Sequence, residues 1–253
     1  MKTNFSEFTD SQWQVIEKII DCKRKRRHSL RTILNAVFWI NNTGCQWRNL
    51  DSKYPPWQTV FYYFTQLKKN GVWGNILDFL VISERKKEQR ESTPSLLAID
   101  SQSVKIVQFT FEEKGIDGGK LINGRKRTIL VDTFGFPWSI KVTAANISDN
   151  QAGILAVDLL QSKVPRLEKI TADMGYKNAF IEHVSTKYSW EVEIAQKPES
   201  TDGFVPQKNR WQVERSFGWL NFRRRLFRDV EKTILSAEAM LQIAFISFII
   251  NRL

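Results

Sequence analysis

Two apolar runs in this 253-residue chain end in a carboxylate. Leu96-Leu97-Ala98-Ile99 leads into Asp100, and Leu167 to Ala172 leads into Asp173 ahead of Gly175. A charge directly after a buried strand costs desolvation free energy unless it is paired or ligated. One such Asp is ordinarily a strand-end residue that caps the next turn. Two in one small sheet point to a shared site at the strands' C-terminal ends, where α/β sheets place ligands. A third acid, Glu214, lies in the run "RWQVERSFGWL". On a helix, Trp211, Phe217 and Leu220 would form an apolar stripe with Glu214 on it. A Glu on a packed face needs a metal, or an ion pair with Arg210 or Arg215. Asp117, beside a Gly-Gly turn, and Asp132, at the end of "LVDT", compete for the same role. Period-two alternation does not choose among them.

The chain has 2 His and 2 Cys, which leaves almost no material for a Cys/His zinc site and excludes a disulfide scaffold. Three inward carboxylates suit a hard cation, Mg²⁺ or Mn²⁺. Two such ions about 3.5–4 Å apart can activate a water and stabilise the leaving oxygen in phosphodiester cleavage. The net charge of +11 makes an anionic partner the natural substrate. Residues 1–94 carry 16 Lys and Arg against 9 Asp and Glu, and residues 95–253 carry 22 against 18, so most of the excess lies in the first part.

Three basic clusters are candidate phosphate contacts. They are Lys23, Arg24, Lys25, Arg26 and Arg27 with Arg31; Arg125, Lys126 and Arg127; and Arg223, Arg224 and Arg225 with Arg228. Any one of them could equally be a solvated face. Arg210 and Arg215 flank Glu214 and could hold a scissile strand. Of the nine Trp, most sit in apolar patterns. Trp138 and Trp211 read as more open, placed to stack on an unpaired base.

The elements that must position these groups change in texture near Pro94. Before it the pattern is helical. Thr9 and Gln12 form a capping-box pair, and Trp13, Ile16, Ile19 and Ile20 recur on one face. Ser29 caps a second helix, which Gly44 stops. Pro55-Pro56 opens a third, Trp57 to Lys69, and a fourth runs from about Val72 to Glu84. If the second and third form a helix-turn-helix, Gln58, Thr59, Tyr62 and Gln66 face DNA, although the connection is long for that motif. The charged stretch Ser83 to Pro94 reads as a linker. After it come strands at 96–100, 127–133, 138–143, 167–173 and 190–195, with helices at about 150–161, 209–222 and 236–252, a mixed α/β layout. Asp117 to Lys120 reads as a turn. The apolar run Ala239 to Ile250 is too short for a bilayer, which needs about 20 residues, and suits a buried helix. The N-terminus lacks a signal-peptide pattern, so a cytoplasmic protein is expected.

"AIDSQSVK", "GGKLINGRKRTILVDTFGFPWSIKVTAANISD", "TADMGYKN" and "RWQVERSFGWLNFRRRL", in that order, closely resemble the DDE transposases of bacterial insertion sequences, the insertion-sequence-five group in particular. "FTDSQWQVIEKII" and "NNTGCQWRNLDSKYPPWQTVFYYF" resemble that group's helical leading domain. The resemblance implies an α/β, RNase H-like mixed sheet with flanking helices over residues 91–253, preceded by a small all-α DNA-binding domain over residues 1–90. It places the catalytic and metal-holding triad on Asp100, Asp173 and Glu214. It implies DNA transposition with Mg²⁺ or Mn²⁺, two ions. The partners would be terminal inverted repeats, target DNA and a homodimer or higher synaptic multimer at the bacterial nucleoid. Two departures stand out. Thr128 replaces the usual His after "GRKR". Gln207 and Asn221 replace the Tyr and Lys of the related insertion-sequence-four signature, which counts against that group's hairpin-forming mechanism. The competing expectations are an inactive or domesticated DNA-binding protein and a stand-alone nuclease of the same fold.

Overall fold

The leading helices form where caps and turns specify them. Thr9 and Gln12 make a reciprocal capping box at the start of α1 (Asp10–Glu17). Ser29 Oγ accepts the Thr32 N–H at 3.1 Å to start α2 (Leu30–Thr43), and Gly44 ends it in the left-handed region at φ 73°. A Cβ at Gly44 would lie 3.1 Å from Arg224, so the turn also needs glycine for close packing. α3 (Trp57–Lys69) follows Pro55-Pro56, and α4 (Val72–Lys87) follows Gly71. The computed structural model describes residues 5–20, 26–109, 112–195 and 211–252.

The stretch expected as a linker is partly helix. α4 continues to Lys87 because its charged residues are paired inside the fold. Glu84 is fully buried and takes Arg252 Nε at 3.2 Å and Lys87 Nζ at 3.4 Å. Arg85, also buried, bonds Asp132 at 2.7 Å. That contact settles Asp132 as a structural acid. Its carboxylate also accepts from Trp138 Nε1 and from the backbone N–H groups of Phe134 and Phe136. Trp138 is accordingly buried and not open to a base.

The sheet follows. β1 (Leu96–Lys105), β3 (Ile122–Val131) and β4 (Pro137–Ala144) are antiparallel neighbours. β5 (Lys169–Ala172) joins the other side of β1 in parallel, and β6 (Glu191–Ile194) joins β5 in parallel. The spatial order is β4-β3-β1-β5-β6, with the short β2 (Gly115–Asp117) paired to the first residues of β3. α5 (Asp149–Asp158) and α6 (Ala179–Tyr188) are the crossovers that a parallel pair requires. Three antiparallel strands continued by two parallel ones through helical crossovers is the RNase H-like arrangement. β2 and α6 were absent from the sequence expectation: β2 is three residues long, and α6 has only two buried residues, Phe180 and Val184.

α7 (Trp211–Leu220) packs on β1 and β3. α8 (Ile234–Ile250) is apolar on nearly every face and is buried against α2, α3, α4, α7 and β4. It ties the leading helices and the sheet into one continuous hydrophobic core. Among the described residues no helix is long and apolar enough to cross a membrane.

Breaking a buried ion pair by removing one partner leaves an uncompensated charge and costs about 3–5 kcal/mol. Asp132→Ala should lower the unfolding free energy by that amount in a urea titration. A loss below about 1 kcal/mol would mean that the Arg85–Asp132 pair contributes packing and little more.

Candidate active site

The register between β1 and β5 sets the geometry. Ala98 lies opposite Thr171 in the parallel pair. Two residues further on stand Asp100, opposite Ile129 of β3, and Asp173, the first residue past β5, and with neighbouring strands about 4.8 Å apart the register brings the two acids near each other. Asp100 does not end its strand as the sequence suggested, because β1 stays paired to β3 as far as Lys105. The residues leading into them, Leu97 to Ile99 and Ile170 to Ala172, are buried, whereas both aspartates are half-buried. Asp100 Oδ1 accepts the Ser101 N–H at 2.7 Å. Asp173 Oδ1 accepts the Gly175 N–H at 2.8 Å, and its carbonyl accepts the Tyr176 N–H at 3.1 Å.

A further acid stands here that sequence reasoning missed. Asp149, the first residue of α5, accepts Ser101 Oγ–H at 2.6 Å and Lys126 Nζ–H at 2.8 Å. A Cβ on Gly175 would lie 2.9 Å from Asp173 Oδ1 and 3.1 Å from Asp149 Oδ2. Those two oxygens are therefore no more than 6.0 Å apart, the sum of the two distances. Asp149 follows the N-cap Ser148, and an acid in the first turn is also what any helix start favours. Nothing in its local sequence separates the two roles.

Tyr176 lies beneath the three aspartates at 1% exposure. Burial, then the nearby charges of Asp100, Asp149 and Asp173, raise its phenol well above the ordinary tyrosine range, so it stays protonated.

Glu214 is placed differently from the expectation. It is exposed on α7 and does not lie within the packed stripe. Each i+3 step turns 60° short of a full helical circle. The series Trp211, Glu214, Phe217, Leu220 therefore winds from solvent, at 44% exposure for Trp211, into the core, at 1% for Leu220. The buried face is made by Gln212, Val213, Ser216, Phe217 and Leu220. α7 nonetheless lies over β1, the strand that carries Asp100. Among the described residues no three Asp, Glu, His or Cys side chains lie together as a metal-holding group. The donor chemistry around Asp100 and Asp173 is all oxygen, which fits a hard cation. Asp117, on β2, instead accepts from Ser103 Oγ and from the backbone of Gly119 and Lys120, and the Ser103 bond leads in holding its pKa down.

The basic candidates divide by burial. Residues 124–131 of β3 are all buried because the strand is central and covered on both faces. Arg125, at 0% exposure, bonds Asp229 and the carbonyls of Glu231 and Glu112. Arg127 donates to the Leu226 carbonyl, and burial lowers its pKa to about 10. Lys126 is occupied by Asp149 and the Ile147 carbonyl. Arg225 is buried on Glu231 at 2.8 Å. These four hold the fold together and face no solvent phosphate. Arg27, Arg224, Gln58 and Tyr62 are exposed, whereas Arg26, Thr59 and Arg31 are half-buried, Arg31 on Asp10. Lys23, Arg24, Lys25, Gln207 and Arg210 lie outside the described residues.

Trp211, Arg215, Trp219 and Arg223 recur at a spacing of four along α7 and just past it. The Arg215 guanidinium is 4.3 Å from the Trp211 ring centre and 5.1 Å from that of Trp219, and Trp219 stacks on Phe248. Arg223 lies 4.7 Å over Phe248 and bonds Asn42 and Ser247. The result is an alternating aromatic and cationic ridge beside Glu214.

Comparisons with known proteins give two family matches. Residues 8–77 match the family described as "Putative transposase of IS4/5 family", and residues 91–250 match "Transposase DDE domain". No curated protein matches the chain. Among solved structures, the chain is similar to a piggyBac transposase synaptic complex with hairpin DNA, at 12% identity and a TM-score of 0.39 over 79% of this chain and 51% of that one. It is similar also to a Mos1 mariner paired end complex with Mn, at 12% identity and a TM-score of 0.31 over 96% and 84%. The chain thus spans about half the length of the piggyBac chain it matches.

The division of the basic residues is testable by stability. Arg125→Ala strands Asp229 in the interior and should cost about 3–5 kcal/mol of unfolding free energy. Arg224→Ala, at the surface, should stay within about 0.5 kcal/mol of the parent. Equal effects in a chemical denaturation series would overturn the assignment.

Proposed function

We propose that this chain, which belongs to the transposases with a DDE domain, cuts DNA at the ends of a mobile element and joins the freed ends to target DNA. The observation that carries the reading is the parallel pairing of β1 with β5, which leaves Asp100, midway along β1, and Asp173, just past the end of β5, each two residues beyond the Ala98–Thr171 pair. Two half-buried like charges brought near each other suit a divalent cation and a phosphodiester substrate.

In this reading Asp100, Asp173 and Glu214 would hold the ions, Mg²⁺ or Mn²⁺ and two in number. When bound, these supply positive charge at the scissile phosphate and a water of lowered pKa. The protein's own groups set the geometry. The Ser101 and Gly175 N–H groups fix the Asp100 and Asp173 side chains, and α7 carries Glu214 over β1. In the first step water attacks phosphorus, the P–O3′ bond breaks, and a 3′-hydroxyl is left on the element. In the second, that hydroxyl attacks a target phosphorus and displaces a target 3′-oxygen. Arg215, one residue after Glu214, lies against the Trp211 ring and donates to the Phe134 carbonyl, and its remaining N–H groups would hold the strand near Glu214. The leading helices, residues 1–90, would grip the element's terminal repeats. The two family matches fall on either side of this division. Synapsis of two ends calls for a homodimer or larger multimer.

Asp100→Asn should lower cleavage of end-containing DNA in Mg²⁺ by about a thousandfold or more, with end binding in a gel shift within about twofold. Retained cutting would remove Asp100 from the chemistry. A parent protein that binds ends and never cuts would favour the repressor reading, and one that cuts but never joins would favour a nuclease.

Arg224→Ala should weaken binding evenly across DNA sequences and reduce the slope of log K against log salt by about 1. The same slope as the parent would place Arg224 off the DNA.

A further inference from the structure

The buried phenol of Tyr176 is unused by the chemistry described so far. Its ring needs no hydroxyl to pack. Gly153 on α5 makes room for it, since a Cβ there would lie 2.8 Å from Tyr176 Cε1. Phe180 meets it edge-on with ring centres 5.2 Å apart, and it too is fully buried. A phenylalanine at position 176 would fill the same space. The hydroxyl is instead buried without a hydrogen bond of good geometry, within the electrostatic reach of Asp100, Asp149 and Asp173. Ser101 Oγ lies alongside but spends its own proton on Asp149, and the hydroxyl does not reach hydrogen-bonding geometry with it. A buried donor left unmade is costly. A buried, unmet O–H three residues after Asp173 points to a group that arrives with the ligand or moves when it binds.

We infer that Tyr176 is a positioning residue of the metal site, whose hydroxyl hydrogen-bonds the Asp100–Asp173 pair once a divalent cation is bound and so holds the two carboxylates in their binding rotamers. The inference rests on the reading of these acids given under Proposed function. The structure already couples the parts. Tyr176 N–H is bonded to the Asp173 carbonyl, so the ring, the turn and the ligand move as one unit. Asp149 has a complementary part. With Lys126 and Ser101 bonded to it, it anchors the residue next to Asp100. Partners behind a metal ligand commonly change affinity by about 10–100-fold when removed.

The test is a Mn²⁺ titration of the full-length chain without DNA, read by calorimetry, for the parent, Tyr176→Phe and Asp100→Asn. Tyr176→Phe should keep the parent's melting temperature within a few degrees and weaken Mn²⁺ binding about tenfold. Its DNA cleavage should return towards the parent rate as Mn²⁺ is raised. An affinity within about twofold of the parent overturns the inference, and a lowered melting temperature at unchanged affinity would make the tyrosine merely structural. Asp100→Asn separates the two levels. If it loses Mn²⁺ binding and Tyr176→Phe does not, only this inference fails. If the parent binds no Mn²⁺, or Asp100→Asn binds it equally, the reading of the acid pair fails and takes this inference with it.

Discussion

The parallel pairing of β1 with β5 is the constraint on which the rest of the site depends. It brings Asp100, midway along β1, near Asp173, just past the end of β5. Two unit charges about 5 Å apart repel by about 3 kcal/mol at an effective dielectric of 20. That is a large fraction of the net stability of a domain. Backbone N–H groups of Ser101 and Gly175 donate to the two aspartates and offset part of it. The strands themselves are held by the core above and below them, since the residues leading into both acids are buried. The buried, protonated Tyr176 adds no further negative charge to these acids.

A second consequence concerns where positive charge ends up. A central strand covered on both faces has no polar side, so the basic run on β3 had to be paired internally. Arg125 and Arg225 bind Asp229 and Glu231, two acids just after the 3₁₀ turn at Arg224–Leu226. Lys126 binds Asp149. The basic residues of the catalytic segment therefore brace the sheet against its C-terminal connection, and the exposed excess is carried by other residues. Net charge alone identifies the kind of partner and leaves the contact surface open.

How far the sequence could be read follows the same physics. Helices with strong terminal signals were legible to the residue: Ser29 and Gly44 bound α2, and Pro55-Pro56 precedes α3. The starts of the strands carrying Asp100 and Asp173 were legible from the apolar residues before each charge, but the end of β1 was not, because Ser101 to Lys105 read as polar while pairing with β3 carries the strand to Lys105. β2 was not, since three residues give no periodicity. The extension of α4 through Lys87 was hidden because Glu84 and Arg85 read as solvated, while their partners, Arg252 and Asp132, are far away in sequence. Asp149 was hidden by its double role at a helix start. Glu214 was selected for the wrong reason: the i+3 series drifts across the helix surface, so the stripe that drew attention to it does not exist as a buried face.

The leading helices raise the question of how a movement in them would reach the acids at the sheet. α8 supplies a physical link. It is buried against α2, α3 and α4 on one side and against β4 and α7 on the other. A helix apolar all round cannot turn or slide without exposing surface, and each buried leucine-sized side chain is worth about 1.5–3 kcal/mol. Packed interiors of this kind switch between discrete arrangements and do not deform smoothly. α7, which carries Glu214, rests on α8 and on β1. Any displacement of the leading helices large enough to shift α8 is therefore felt at the element that sets the distance of Glu214 from the aspartate pair. The covalent connection after α4 is reinforced by the Arg85–Asp132 bond. On this argument the two family segments share one packed core, and α7, which carries Glu214, meets the leading helices through α8.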